Sequence, residues 1–345
     1  MSDILIQEIN EQPDIIQNLI DSEYLPVQKI ADAVKGKFKY ALIAARGTSD
    51  NAARYAQYLL GAYNQIPVAL ATPSLFTVYN NPPTLADVLV IGISQSGQSP
   101  DIVAVLEEAR KQGQTTICIT NDPQSPLSNV SDHVIPLHCG NEQAVAATKT
   151  YTAALTSMAM LSIALGNDQE RMAKLASLPP LLEKTIYAAN QAIEKTCRYR
   201  YIEHCVVIGR GFNYSTAFEV ALKIKELSRV VSVPYSSADF THGPIAAVQP
   251  GFPVILVAPS GKMYTQMAEF SNKMRRMDAE LISISDQDEI IDESNLGFRV
   301  PTGIPEWMSP IACVIPGQMF ARQLAFEKGL NIDQPVGLSK VTETF

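Results

Sequence analysis

The chain has 345 residues, 46% of them hydrophobic and 18% charged, with a formal net charge of −8 at pH 7. That length allows two domains or one large one, and that composition belongs to a folded globular protein, not a disordered one. The acidic balance, with no basic cluster, argues against nucleic acid as a partner, and no apolar run reaches the ~18 residues that a membrane span needs.

Residues 1–36 read as a helical segment, interrupted at Pro13. A first unit, residues 37–166, alternates short apolar strands with amphipathic helices. The strand YALIAA leads through Arg46-Gly47-Thr48-Ser49 into a helix from about Asp50 to Tyr63. The strands IPVALA and VLVIGIS follow, then a helix from Pro100 to Gln112, and then TTICIT and HVIPL. Such alternation predicts a parallel sheet covered by helices on both faces, with ligands bound beyond the carboxyl ends of the strands. Two loops fall there. After VLVIGIS comes the run Ser94, Gln95, Ser96, Gly97, Gln98, Ser99, with Ser99 placed as helix N-cap and Pro100 at the first helical position. Its hydroxyls, the amides around Gly97 and the positive end of a helix converge as an anion cradle without a lysine. Thr48 and Ser49 reach the same place from the neighbouring strand. Residues 147–166 read as a long apolar helix whose Met158 and Met160 are core filler. A helical linker, 167–200, turns at Pro179-Pro180.

A second unit, residues 201–330, repeats the first. Arg46-Gly47 recurs as Arg210-Gly211, Ser96-Gly97 as Ser260-Gly261 and Asp122 as Asp286, each 164 residues later, and Pro136 recurs as Pro301. The second copy keeps only Ser260-Gly261 of the hydroxyl loop, so its anion site is expected to be lost. It carries instead the helix-forming stretch AFEVALKIKELS, in which Glu219, Lys223 and Glu226 lie one above another on a single face. Apolar residues crowd that helix, and a carboxylate on a largely buried helix is suited to proton transfer. His242, between Thr241 and Gly243-Pro244, is the histidine best placed for acid–base work, while His133, His138 and His204 border strands. No His or Cys spacing forms a metal site, and no dinucleotide or P-loop glycine pattern is present. The five cysteines, an odd number without CxxC spacing, read as buried free thiols of a cytoplasmic protein. The tail 331–345 ends in DQPVGLSKVTETF, where Lys340 reads on its own as a solvated residue.

Taken together, EINEQPDII, ARGTSDNA, SQSGQSPD, EQAVAATKT, GRG, EVALKIKE, HGP and DQPVGLSK resemble the sugar isomerase (SIS) family, most of all the isomerase half of the glutamine–fructose-6-phosphate aminotransferases. The resemblance covers essentially the whole chain. It implies an α/β fold of two tandem SIS domains, each a parallel sheet flanked by helices, in a homodimer with shared active sites. It implies a hexosamine 6-phosphate substrate held by Ser49, Ser94, Gln95, Ser96 and Ser99, with Val145 closing over the sugar and the tail closing the site. Glu226 would move the proton between C1 and C2, and His242, reaching in from the other subunit, would open the ring. Lys340 would form an imine with the open-chain ketose, with Lys223 beside it, and Glu219 would take part in substrate binding. No cofactor is called for. Only 36 residues precede the first strand and no cysteine precedes Cys118, so the glutaminase of the aminotransferases is expected to be lacking. The expectation is therefore the ammonia-releasing direction, glucosamine-6-phosphate deaminase, as in the stand-alone deaminases of this family. The alternatives are a deglycase for 6-phosphorylated fructosamines and a non-catalytic sugar-phosphate sensor.

Overall fold

The computed structural model describes residues 3–340; the last five residues of the expected closing tail, and Met1 and Ser2, lie outside them. The described chain forms two compact units. The first comprises residues 14–142, 149–176 and 339–340, and the second residues 3–13, 143–148 and 177–338.

The first unit holds β1 (Tyr40–Ala44), β2 (Val68–Leu70), β3 (Val88–Ile93), β4 (Thr115–Thr120) and β5 (His133–Pro136), in the order β2-β1-β3-β4-β5 with every pair parallel. Every residue of β3 is buried, which is why it reads as an unbroken apolar run instead of an alternating one. The sheet packs Leu42, Ala44, Val88 and Val90 against Ile102, Val105 and Leu106 of the helix Pro100–Lys111. The helix Lys149–Gly166 is buried from Lys149 to Leu165, so it has no polar face. Asn64 and Ser162 fasten it to the helix Gly47–Asn64: the Asn64 amide donates to the Ser162 carbonyl (2.9 Å), and the Ser162 hydroxyl donates to Asn64 Oδ1 (2.6 Å).

The second unit holds β6 (His204–Gly209), β7 (Val231–Ser236), β8 (Pro253–Val257), β9 (Glu280–Ser285) and β10 (Leu296–Arg299), in the order β10-β9-β8-β6-β7, again all parallel. Read from its other edge, β7-β6-β8-β9-β10 is the topology of the first sheet, strand for strand. The sequence repeat is therefore a repeat of structure. In each sheet the chain leaves the first strand toward one edge and returns on its other side, so the switch point lies between β1 and β3, and between β6 and β8.

Two expectations shift. The N-terminal helix breaks at Glu11, between Ile4–Asn10 and Gln12–Val34, and Pro13 is the second residue of the new helix. There its missing N–H leaves no intrahelical bond unmade. Of the cysteines, Cys118, Cys139, Cys205 and Cys313 are buried, whereas Cys197 is exposed on the 3₁₀ segment Ile193–Tyr199. Among the described residues no helix is long and apolar enough to cross a membrane.

Candidate active site

The first unit builds the cradle at its switch point. Gly47, at φ +53°, turns the chain from β1 into the helix Gly47–Asn64, so Thr48 and Ser49 lie in its first turn. From β3, the loop Ser94–Ser99 enters the helix Pro100–Lys111 with Ser99 as N-cap. The Ser99 side chain makes no capping bond; its carbonyl accepts from the Ile102 and Val103 amides at 3.1 Å. Ser94 Oγ accepts from the Gly97 amide at 3.1 Å and Ser96 Oγ from the Gln98 amide at 3.2 Å. Each hydroxyl thus shapes the loop with its lone pairs and keeps its own proton to donate. Gly97 is obligatory: at φ +62° a Cβ would lie 2.1 Å from Ser125 Oγ. The Gln95 carbonyl accepts from the Asn121 amide at 3.1 Å, tying the loop to the end of β4.

At the equivalent loop of the second unit, the place of an anion is taken by the protein's own carboxylates. Glu306 Oε2 accepts from the Lys262 amide (2.9 Å) and Oε1 from the Met263 amide (3.3 Å), at the start of the helix Tyr264–Arg276. Asp286 accepts from both the amide and the hydroxyl of Ser260, each at 2.6 Å. A Cβ on Gly261 would strike the Glu306 side chain at 2.5 Å. The protein's own side chains thus fill the turn at Ser260-Gly261.

What the second unit has gained sits on the helix Tyr214–Ser228, which follows β6. Gly317, on the helix Ser309–Glu327, lets the two helices approach closely, since a Cβ there would lie 2.2 Å from Val220 Cγ2. The helix Tyr214–Ser228 carries a charged stack. Lys223, its side chain 1% exposed, places Nζ 3.5 Å from Glu219 Oε1 and 2.5 Å from Glu226 Oε2; Glu219 is fully buried and Glu226 is 24% exposed. Of the three, only Glu226 opens appreciably to solvent. His242 ends the short helix Ser237–Thr241, which follows β7 and is capped by the Ser236 hydroxyl. Its amide donates to the Asp239 carbonyl at 3.1 Å, and Gly243 at φ +140° turns the chain sharply after it. The imidazole is exposed and makes no hydrogen bond among the described residues.

Lys340 is not solvated freely. Its ammonium reaches Glu142 Oε2 at 2.8 Å, in the first unit. Glu142, 3% exposed, also accepts from the amide (3.2 Å) and hydroxyl (2.9 Å) of Thr150. Val145 belongs to the second unit, where its amide donates to the Asp333 carbonyl at 3.2 Å. The structure thus gathers Thr48, Ser49, Ser94, Gln95, Ser96 and Ser99 at one switch point, and Glu219, Lys223 and Glu226 on one helix. Glu142 was missed, although it lies in EQAVAATKT; the signal was an acid preceding a run of small residues and a buried helix.

The SIS domain family model matches residues 37–164 and 200–328. The isomerizing glutamine–fructose-6-phosphate aminotransferase of Thermosynechococcus vestitus is 31% identical over 366 residues, covering 97% of this chain and 58% of that enzyme. The chain therefore spans less than two thirds of that relative's length. Among solved structures, the C-terminal domain of glucosamine-fructose-6-phosphate aminotransferase from Francisella tularensis superposes with a TM-score of 0.88 at 25% identity, over 97% of this chain and 99% of that one. Glucosamine-6-phosphate deaminase from Thermotoga maritima superposes with a TM-score of 0.80 at 20% identity, over 99% of this chain and 100% of that one, a likeness of fold alone. The resemblance read from the motifs is borne out.

Proposed function

The chain belongs to the SIS domain family, and from that premise we propose that it isomerises an amino-sugar phosphate with release of ammonia, acting as a glucosamine-6-phosphate deaminase. The observation that carries this reading is the buried Glu219–Lys223–Glu226 stack. Two charges removed from water, with a third at their solvent edge, are an expensive way to hold a fold together, and an apolar helix would do as well. A carboxylate with one open side beside a fixed cation is what a proton shuttle needs.

In the proposed reaction, glucosamine 6-phosphate and water give fructose 6-phosphate and ammonia. The loop at 94–99 with Thr48 and Ser49 holds the phosphate. His242 moves the proton that opens the ring. Glu226 takes the proton from C2 and returns it to C1, leaving an imine at C2. The Lys340 amine adds to C2 and expels ammonia, and water resolves the resulting lysine imine to the ketone. Before it attacks, Lys340 must shed a proton, and Glu142 at 2.8 Å is placed to take it. The exposed, unbonded ring of His242 supports its donation to a neighbouring subunit's site in a homodimer. The names of the aminotransferase relatives, with fructose 6-phosphate and isomerisation in them, support the substrate class.

Incubation with glucosamine 6-phosphate is expected to yield ammonia and fructose 6-phosphate in equal amounts. Release of an amino acid from a 6-phosphorylated fructosamine, with no turnover of glucosamine 6-phosphate, would replace this reading with a deglycase. Binding of sugar phosphates with no turnover of either would leave a sensor.

A further inference from the structure

Arg46 lies at the switch point between β1 and β3, as N-cap of the helix Gly47–Asn64, with extended backbone (φ −136°, ψ 152°). Its Nε is 2.7 Å from Oδ2 of Asp101, the second residue of the helix that follows the 94–99 loop. The two side chains differ sharply: Asp101 is 1% exposed and Arg46 is 52% exposed. Among the described residues, the terminal guanidinium nitrogens of Arg46 make no other hydrogen bond, and the buried Oδ1 of Asp101 has no partner.

A solvated ion pair would not be built this way. Exposed pairs contribute little and need no buried acid, whereas a carboxylate sealed at 1% exposure with one oxygen unsatisfied is held at a penalty. What the arrangement does is fix a guanidinium by one edge and leave its other donors open. A planar fork presented in that way matches a phosphate. The duplicate provides a control within the same chain. Arg210 has the same backbone conformation (φ −151°, ψ 154°) at the equivalent turn of the second unit. No carboxylate lies within ion-pair distance of it among the described residues, and the neighbouring loop at 260–263, the counterpart of 94–99, is bonded by Glu306 and Asp286. The acid that fixes the arginine is present only where the anion cradle survives.

We propose that Arg46 is a phosphate-binding residue, adding a forked, charge-assisted contact to the hydroxyl cradle, and that Asp101 positions it. The inference rests on the reading of the 94–99 loop as the phosphate site and adds to it a cationic group that discriminates for the dianion. Asp101 shares the charge of Arg46, so the two residues have different effects on affinity.

The test is calorimetric titration of the full chain with inorganic phosphate and with fructose 6-phosphate, alongside steady-state kinetics. Arg46→Ala is expected to weaken both ligands by about tenfold to a hundredfold, the worth of hydrogen bonds to a charged group, and to raise KM for sugar phosphate by a similar factor. Asp101→Asn keeps an oxygen that can accept from Arg46 Nε, so the arginine stays in place, and the variant is expected to weaken both ligands less than Arg46→Ala does. If Arg46→Ala does not fold, the neutral pair Arg46→Gln with Asp101→Asn is measured in its place, with the same weakening expected. Unchanged affinity in either arginine variant overturns the inference. Weakening in Asp101→Asn as large as in Arg46→Ala also overturns it, since Arg46 and an acceptor for its Nε are both retained in that variant. A wild-type protein that binds neither ligand removes the phosphate-site reading itself, and this inference with it.

Discussion

Replacing Lys223 by methionine removes the ammonium that lies 3.5 Å from Glu219 and 2.5 Å from Glu226 while keeping a side chain of similar length. The two acids respond differently. Glu226 is 24% exposed and recovers water, so its share is small, whereas Glu219 is fully buried and loses its lysine in a low-dielectric setting. Breaking a buried pair from one side costs about 3–5 kcal/mol. At roughly 2–4 °C per kcal/mol for a unit of this size, the transition should fall by on the order of 10 °C. Replacing both partners, Glu219→Leu with Lys223→Met, removes both charges and should recover most of that loss, since apolar replacement of a buried pair is commonly neutral or better. Scanning calorimetry of wild type, both single variants and the double variant gives the coupling directly. A Lys223→Met protein within about 1 kcal/mol of wild type would refute the reasoning, as would a double variant whose loss is the sum of the singles.

Three further outcomes follow from other parts of the molecule. Ser94→Ala with Ser96→Ala should raise KM for sugar phosphate by at least about tenfold, since each lost hydrogen bond to a charged group is worth roughly 1.5–3 kcal/mol, and an unchanged KM in a folded double variant would exclude the cradle. If His242 serves a neighbouring subunit, mixing the inactive His242→Ala and Glu226→Gln proteins should restore part of the activity once subunits exchange; demonstrated exchange with no recovery would contradict the shared site. Burial raises the Cys205 thiol from 9.0 to about 11, partly offset by the Ser232 hydroxyl and Lys225. The folded state therefore holds this proton longer than the unfolded chain, and stability falls as pH rises between those two values. Cys205→Ala should flatten that alkaline loss in urea denaturation measured at several pH values.

Much of the fold was legible because its signals are local. The unbroken apolar run of β3, the Ser-Pro start of the helix after it, and the equal spacing of Arg46/Arg210 and Ser96/Ser260 need only neighbouring residues or a constant offset. The stack on one helix was legible for the same reason, because Glu219, Lys223 and Glu226 are three and four residues apart. What escaped depends on pairs far apart in the chain. Glu142 meets Lys340 across 198 positions, and Glu306 reaches the Lys262 amide across 44. Asp101 meets Arg46 across 55. Composition and periodicity carry no information about such pairings; only the folded sheet brings them together. Cys197 escaped differently, since a thiol among mixed residues reads as buried until the 3₁₀ segment turns it outward.

The central claim is that Glu226 carries the proton between C2 and C1, and it is tested most directly by the turnover of a Glu226→Gln protein with glucosamine 6-phosphate. Glutamine keeps the size and hydrogen bonding of the side chain but cannot accept the proton. The account predicts KM within a few-fold of wild type and a fall in kcat of about 10²–10⁴, the usual worth of a general base. It also predicts that the wild-type protein in heavy water places deuterium at C1 of the fructose 6-phosphate it makes, to the extent that the shuttled proton exchanges with solvent. A Glu226→Gln protein whose kcat stays within a few-fold of wild type would contradict the account and return the stack to a purely structural role.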